Sequence, residues 1–200
     1  MAKRELRGNK PKQSEKIDLD ILREHLDNLD LSNPDNLNFW IYCKIAMRSG
    51  LRSVDILNMK ARNIYFTDRK IYLVEQKTKK EVVVPIDKVV ADKIEANNTF
   101  ITDEGVYTSN PDYYVLWNKK YSTQVSLMTI NRRLKKVYEG SGTNVSSHSI
   151  RKAVATKIYE GTGNNIIKAM IFLNHSSPVT TKNYLGITKA EKQELYKLLD

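Results

Sequence analysis

The sequence predicts a mainly α fold carrying one small three-stranded antiparallel sheet, an α+β arrangement. Three observations point to it. Apolar residues recur at helical spacing through most of the 200-residue chain. Between Asn63 and Pro85 that period gives way to β-branched and aromatic runs: Ile64-Tyr65-Phe66, Ile71-Tyr72-Leu73-Val74 and Val82-Val83-Val84. Polar breaks at Thr67-Asp68-Arg69 and Gln76-Lys77-Thr78-Lys79-Lys80 split those runs into a three-stranded meander.

Residues 1–16 form a flexible basic arm in this reading, with six Lys or Arg around Gly8 and Pro11. It is either a frayed terminus or a DNA-backbone contact. A folded domain spans 17–186. Leu19, Leu22, Leu26 and Leu29 mark a first helix, with His25 on its surface. Ser32-Asn33-Pro34 opens a second, running to about Arg48 and burying Leu37, Trp40, Ile41 and Ile45 as one stripe. Gly50 ends it, and Ser53 is the expected N-cap of a short helix that follows. After the strands, Asp87 caps a helix through Ile94. Residues 97–111 read as loop and Tyr113–Lys120 as a short helix.

Leu127, Ile130, Leu134 and Val137 define an amphipathic helix with Arg132, Arg133, Lys135 and Lys136 on its wet side. The helix from about Ser147 to Glu160 buries Ile150, Val154 and Ile158, and the apolar segment from Asn164 to Leu173 reads as a buried helix. Gly161-Thr162-Gly163 lacks the Gly-Lys-Ser/Thr ending of a phosphate loop, so it reads as a helix end. Residues 187–200 form a tail helix opened by the capping box Thr188-x-x-Glu191.

Composition narrows the chemistry. A formal charge of +10 favours a polyanion as partner, nucleic acid before membrane. The single cysteine, Cys43, has no intramolecular disulfide partner and reads as core. No apolar run approaches membrane-spanning length and no signal-peptide segment is visible, so a cytoplasmic, DNA-associated protein is expected. No Cys/His spacing suggests zinc and no acidic cluster suggests magnesium, so no metal or other cofactor is expected.

Candidate site residues gather late in the chain. His148 and Arg151 lie three apart, on one helix face, where both can address one small anion. His175 and Tyr184 follow, and Arg52 and Lys77 lie upstream. Singly, each has a plain structural reading. Arg52 can pair with Asp55, Lys77 can be a solvated turn residue, and Tyr184 is one of 11 tyrosines.

Taken in order, the motifs resemble those of the tyrosine recombinase (phage integrase) family from about Pro34 to Tyr184. Ser49-Gly50-Leu51-Arg52-Ser53-Val54-Asp55-Ile56 is similar to its first-arginine motif. Lys77, between two strands, resembles its catalytic lysine, and His148-x-x-Arg151 its His-x-x-Arg motif. Leu173-Asn174-His175-Ser176-Ser177 resembles its Gly-His segment, and Thr180-Thr181-Lys182-Asn183-Tyr184 its nucleophile segment. Two positions depart: Asp55 stands where Glu is more common, and Asn174 where Gly is usual.

The resemblance implies a site-specific recombinase that cleaves and rejoins double-stranded DNA through a 3′-phosphotyrosyl intermediate, for integration, excision or inversion. It gives Tyr184 the role of nucleophile, His148 that of general base, and Lys77 that of acid for the leaving oxygen. Arg52, Arg151 and His175 would hold the phosphate. It also implies a homo-oligomer, a tetramer on DNA joined through the tail helix, with accessory DNA-bending proteins. A DNA-binding regulator without strand transfer and a type IB topoisomerase-like enzyme are the alternatives.

Overall fold

The computed structural model describes residues 14–101, 107–118 and 123–187. The arm up to residue 13 and the tail from residue 188 lie outside the described residues. The described chain is mainly helical with a small antiparallel sheet of order β1-β2-β3.

Helix α1 (Leu19–Asp27) buries Leu19, Leu22 and Leu26, as the spacing predicts. His25 is half-buried, not a surface residue, because its ring meets the edge of Phe39 at 6.2 Å between centroids. Helix α2 (Pro34–Ser49) is capped by Asn33, whose Oδ1 accepts from the N–H groups of Asp35 and Asn36. Its burial is wider than the predicted stripe. Phe39 to Cys43 are all buried, so α2 runs through the core with neighbours on every side. It ends at Gly50, which adopts φ +60° and would place any Cβ 2.6 Å from Phe172 Cε1. Only glycine fits both demands.

Helix α3 (Ser53–Leu57) starts one residue earlier than expected. Arg52 is its N-cap, and the Ser53 hydroxyl instead accepts from the buried Tyr42 hydroxyl at 2.9 Å. Strands β1 (Ile64–Tyr65), β2 (Lys70–Val74) and β3 (Glu81–Pro85) form the meander, with Ile71 opposite Val84 and Val74 opposite Glu81. Phe66 falls outside β1. The β2–β3 turn is closed by Glu75 N–H to Lys80 O and Lys79 N–H to Glu75 O, each 2.9 Å.

Helix α4 (Lys88–Asn98) follows Asp87, which sits at the N-cap without a capping hydrogen bond from its side chain. The segment read as loop forms a hairpin instead, β4 (Thr99–Ile101) with β5 (Tyr107–Ser109). The helix expected over Tyr113–Lys120 is absent from its described part. Tyr114 bridges Lys60, and β6 (Trp117–Asn118) pairs with β7 (Thr123–Gln124). Tyr113 stacks on Trp117 at 4.8 Å between ring centroids.

Helix α5 (Leu127–Val137) buries Ile130 and Leu134, while Leu127 is exposed. Arg133 is not on its wet side. It lies half-buried over the Phe39 ring and donates to Asn36 Oδ1 at 2.6 Å. Arg132, Lys135 and Lys136 remain exposed. Helix α6 (Ser147–Gly161) buries Ile150 and Val154, with Ile158 half-buried. Helix α7 (Ile166–Phe172) is apolar but not buried: Ala169 alone is buried within it, and Ile167 and Ile171 are 46% and 67% exposed. Helix α8 (Pro178–Leu185) ends at a left-handed Gly186.

Candidate active site

Five chain segments meet at one cleft of about 380 Å³, and Arg52, Lys77, His148, Arg151, His175 and Tyr184 all line it. Each is placed by a local device. Arg52 sits at the N-cap of α3, two residues after the left-handed Gly50. Lys77 is exposed in the β2–β3 turn. His148 and Arg151 occupy the first turns of α6, which Ser146 and Ser149 cap reciprocally.

His175 follows α7 through a Schellman ending. Its N–H reaches Met170 O at 3.0 Å while Asn174 takes φ +55°. Asparagine tolerates that left-handed conformation, so the departure from glycine costs the turn little. Tyr184 lies in the last turn of α8, three residues after the buried Thr181.

Arg151 is the centre of the cleft. It is 4% exposed, and its guanidinium donates to Gly50 O and, at 2.8 Å, to Leu173 O. One cation thus satisfies the carbonyls at the ends of α2 and α7 and ties α6 to both. Its Nη2 also faces His175 Nε2 at 3.4 Å. A guanidinium only donates, so Nε2 accepts, and the ring proton lies on Nδ1, 3.0 Å from Thr181 Oγ1. The neutral ring agrees with its pKa, which falls to about 4 through burial and then the charges of Arg151 and Arg52. Partial burial, then Arg151, Lys152 and Arg52, also lower the His148 pKa, which keeps that imidazole neutral near pH 7.

The Tyr184 hydroxyl points to the His148 carbonyl at 3.5 Å, and its ring meets the His175 ring edge-on at 5.6 Å. The Arg151 guanidinium carbon and Lys152 Nζ lie 6.0 and 5.8 Å from the Tyr184 ring centroid. Burial pushes the phenol up to about 12 despite the opposing charge of Arg151. Tyr184 is therefore a protonated phenol at neutral pH, and its attack on an electrophile requires a base.

Arg52 does not pair with Asp55. Its Nη1 donates to Glu75 Oε1 at 2.8 Å, with the Arg52 side chain 15% and Glu75 1% exposed. Asp55 instead accepts the Gln76 N–H at 2.8 Å, and burial raises its pKa. Glu75 was not singled out in the sequence, although strand alternation gave the signal: residues 71, 73 and 75 point to one face of β2 and its extension.

The three histidines of the chain all have lowered pKa values, so the folded state binds fewer protons than the unfolded one below their ordinary value of 6.5. Their contribution to stability is complete above pH 6.5 and is lost progressively as pH falls toward about 4. Melting temperature measured from pH 7 to 4 is expected to decline, and His175→Gln to make that decline shallower; an unchanged slope would show that His175 is not held neutral.

Among the described residues no group of three or more His, Cys, Asp or Glu stands together as a metal site. No helix among them is long and apolar enough to cross a membrane.

A search of curated proteins finds no match. Solved structures do match the fold. The XerA recombinase superposes with a TM-score of 0.62 at 18% identity, over 94% of this chain and 66% of that one. The XerH recombinase in a post-cleavage complex with a palindromic difH substrate gives 0.66 at 17%, over 94% and 54%. A lambda integrase (75-356) dimer bound to a COC′ core site gives 0.59 at 18%, over 88% and 61%. The chain thus spans just under two thirds of the XerA chain and little more than half of the XerH chain. The sequence profile of the phage integrase family matches residues 16–191. With that profile covering most of its length, and with this fold, the chain belongs to the phage integrase family.

Proposed function

We propose that the protein is a site-specific recombinase that cuts and rejoins double-stranded DNA through a 3′-phosphotyrosyl intermediate. The convergence of Tyr184 with two arginines, two histidines and a lysine in one cleft carries this reading. A scissile phosphate enters among Arg52, Arg151 and His175. Arg52 and Arg151 offer planar donors to its non-bridging oxygens as charge builds. The entering anion competes for Arg151 Nη2. That frees His175 Nε2 to carry the ring proton and donate it, with Thr181 Oγ1 then donating to Nδ1. Tyr184 attacks phosphorus, neutral His148 takes the phenolic proton, and Lys77 protonates the leaving 5′-oxygen. The new ester conserves the energy of the old, and a 5′-hydroxyl from a partner strand reverses the step.

Exchange between duplexes requires several protomers, so a tetramer on DNA is part of the proposal, with residues 187–200 docking on a neighbour. Accessory DNA-bending proteins assist it, and the reaction belongs to the cytoplasmic DNA of a bacterium, phage or mobile element. Structures of XerH with a difH substrate and of lambda integrase with a core site are DNA complexes, which supports DNA as the partner.

Covalent capture tests the reading. Wild-type protein is incubated with sheared DNA of the source organism in EDTA and denatured with SDS. Protein-linked fragments ending at recurring sites are expected. DNA retained before SDS with no adduct afterwards would favour a binding protein without strand transfer.

A further inference from the structure

Among the described residues Glu75 is the one carboxylate that touches three parts of the cleft at once. Oε1 accepts from Arg52 Nη1 at 2.8 Å, and Oε2 accepts from the Thr78 hydroxyl and, at 3.0 Å, from Asn174 Nδ2. Those partners belong to the start of α3, the turn that carries Lys77, and the residue before His175. Glu75 is itself 1% exposed and anchored by its own N–H and C=O in the β2–β3 turn. Asp55 braces the same turn from α3 through the Gln76 N–H.

We infer that Glu75, clipped to Asn174, is the positioning residue that holds Arg52, the Lys77 turn and the His175 loop in register before DNA arrives. The inference rests on the recombinase reading of the cleft. Three physical points support it. Arg52 and Arg151 face one cleft with Lys77, and a buried negative charge offsets their repulsion while no phosphate is bound. Glu75 engages Nη1 of Arg52 and leaves Nε and Nη2 for an oxyanion. Asn174, where the family motif usually has glycine, supplies an amide that glycine lacks, and so ties the α7–α8 loop to the sheet.

Glu75 touches no substrate in this scheme, and its charge repels a phosphate. Binding and chemistry should therefore separate. With the same sheared DNA in EDTA, Glu75→Gln is expected to slow adduct formation about a hundredfold, the cost of about 1 Å of misplacement. Retention of that DNA on a filter before SDS is expected to equal or exceed wild type. Asn174→Gly suits the left-handed backbone and removes only the amide. It is expected to slow adduct formation about tenfold, and to add little to Glu75→Gln, because both open the same clip.

Adducts from Glu75→Gln at the wild-type rate would overturn the inference. So would adduct rate and DNA retention falling together with melting temperature, the pattern of a purely structural role. Wild type forming no adducts would mean that the recombinase reading had failed. Glu75 is then judged in DNA-free protein by NMR titration of His175, which Glu75 supports in its charged form. Glu75→Gln is expected to move that titration to lower pH, and an unmoved titration would overturn the inference.

Discussion

Tyr184→Phe is expected to hold duplex DNA as wild type does and to form no covalent adduct, a loss of at least about ten-thousandfold in cleavage. The substitution removes one oxygen. The ring keeps its edge contact with His175 and its place beside Arg151 and Lys152, and only the 3.5 Å contact to the His148 carbonyl disappears. Burial is relieved of a polar atom, so stability should hold or rise slightly. The measurement is SDS-resistant adduct formation alongside filter retention of the same DNA. Adducts from the phenylalanine variant would place the nucleophile elsewhere and end the proposed mechanism. Retention falling with adduct formation would show that the variant had lost the DNA and not merely the chemistry.

Arg151 has the second largest expected effect, and it acts on fold and chemistry together. Arg151→Ala leaves Gly50 O and Leu173 O without their donor inside the protein, at a cost on the order of 2–5 kcal/mol of stability. Arg151→Lys keeps the charge, but one ammonium has no planar fork to span both carbonyls and still face a phosphate. It is expected to cleave about a hundred- to thousandfold more slowly at saturating DNA, with a lowered melting temperature. A lysine variant cleaving near the wild-type rate would show that the guanidinium serves only the fold. Unchanged melting with lost cleavage would show the reverse.

Local pattern made much of this molecule legible. The β-branched runs at 64–66, 71–74 and 82–84 announced the meander, and Asn33-Pro34 and Gly50 marked both ends of α2. The six site positions could be named because their motifs stand in the order of the family. What pattern missed was decided between elements. The helix expected over Tyr113–Lys120 gave way to paired strands where Tyr113 and Trp117 stack. The apolar α7 was read as buried, yet Ile167 and Ile171 face outward: apolar composition says that a residue can be buried, not that a neighbour exists to bury it. Arg133 looked like one more wet-face cation until Phe39 and Asn36 from α2 lay beneath it.

The sequence by itself determined the family, the order of the site residues, the strand period of the meander and both ends of α2. These depend on neighbours along the chain, where spacing is sufficient. Only the tertiary structure decided the partners. Arg52 binds Glu75 and not Asp55, three residues away from it on α3. Arg151 spends two donors on carbonyls 101 and 22 residues distant. His175 carries its proton on Nδ1 because an arginine from another helix faces Nε2. Each of these outcomes depends on which buried groups must share donors, and a buried polar group is matched by proximity in space, at separations for which the sequence holds no periodic signal.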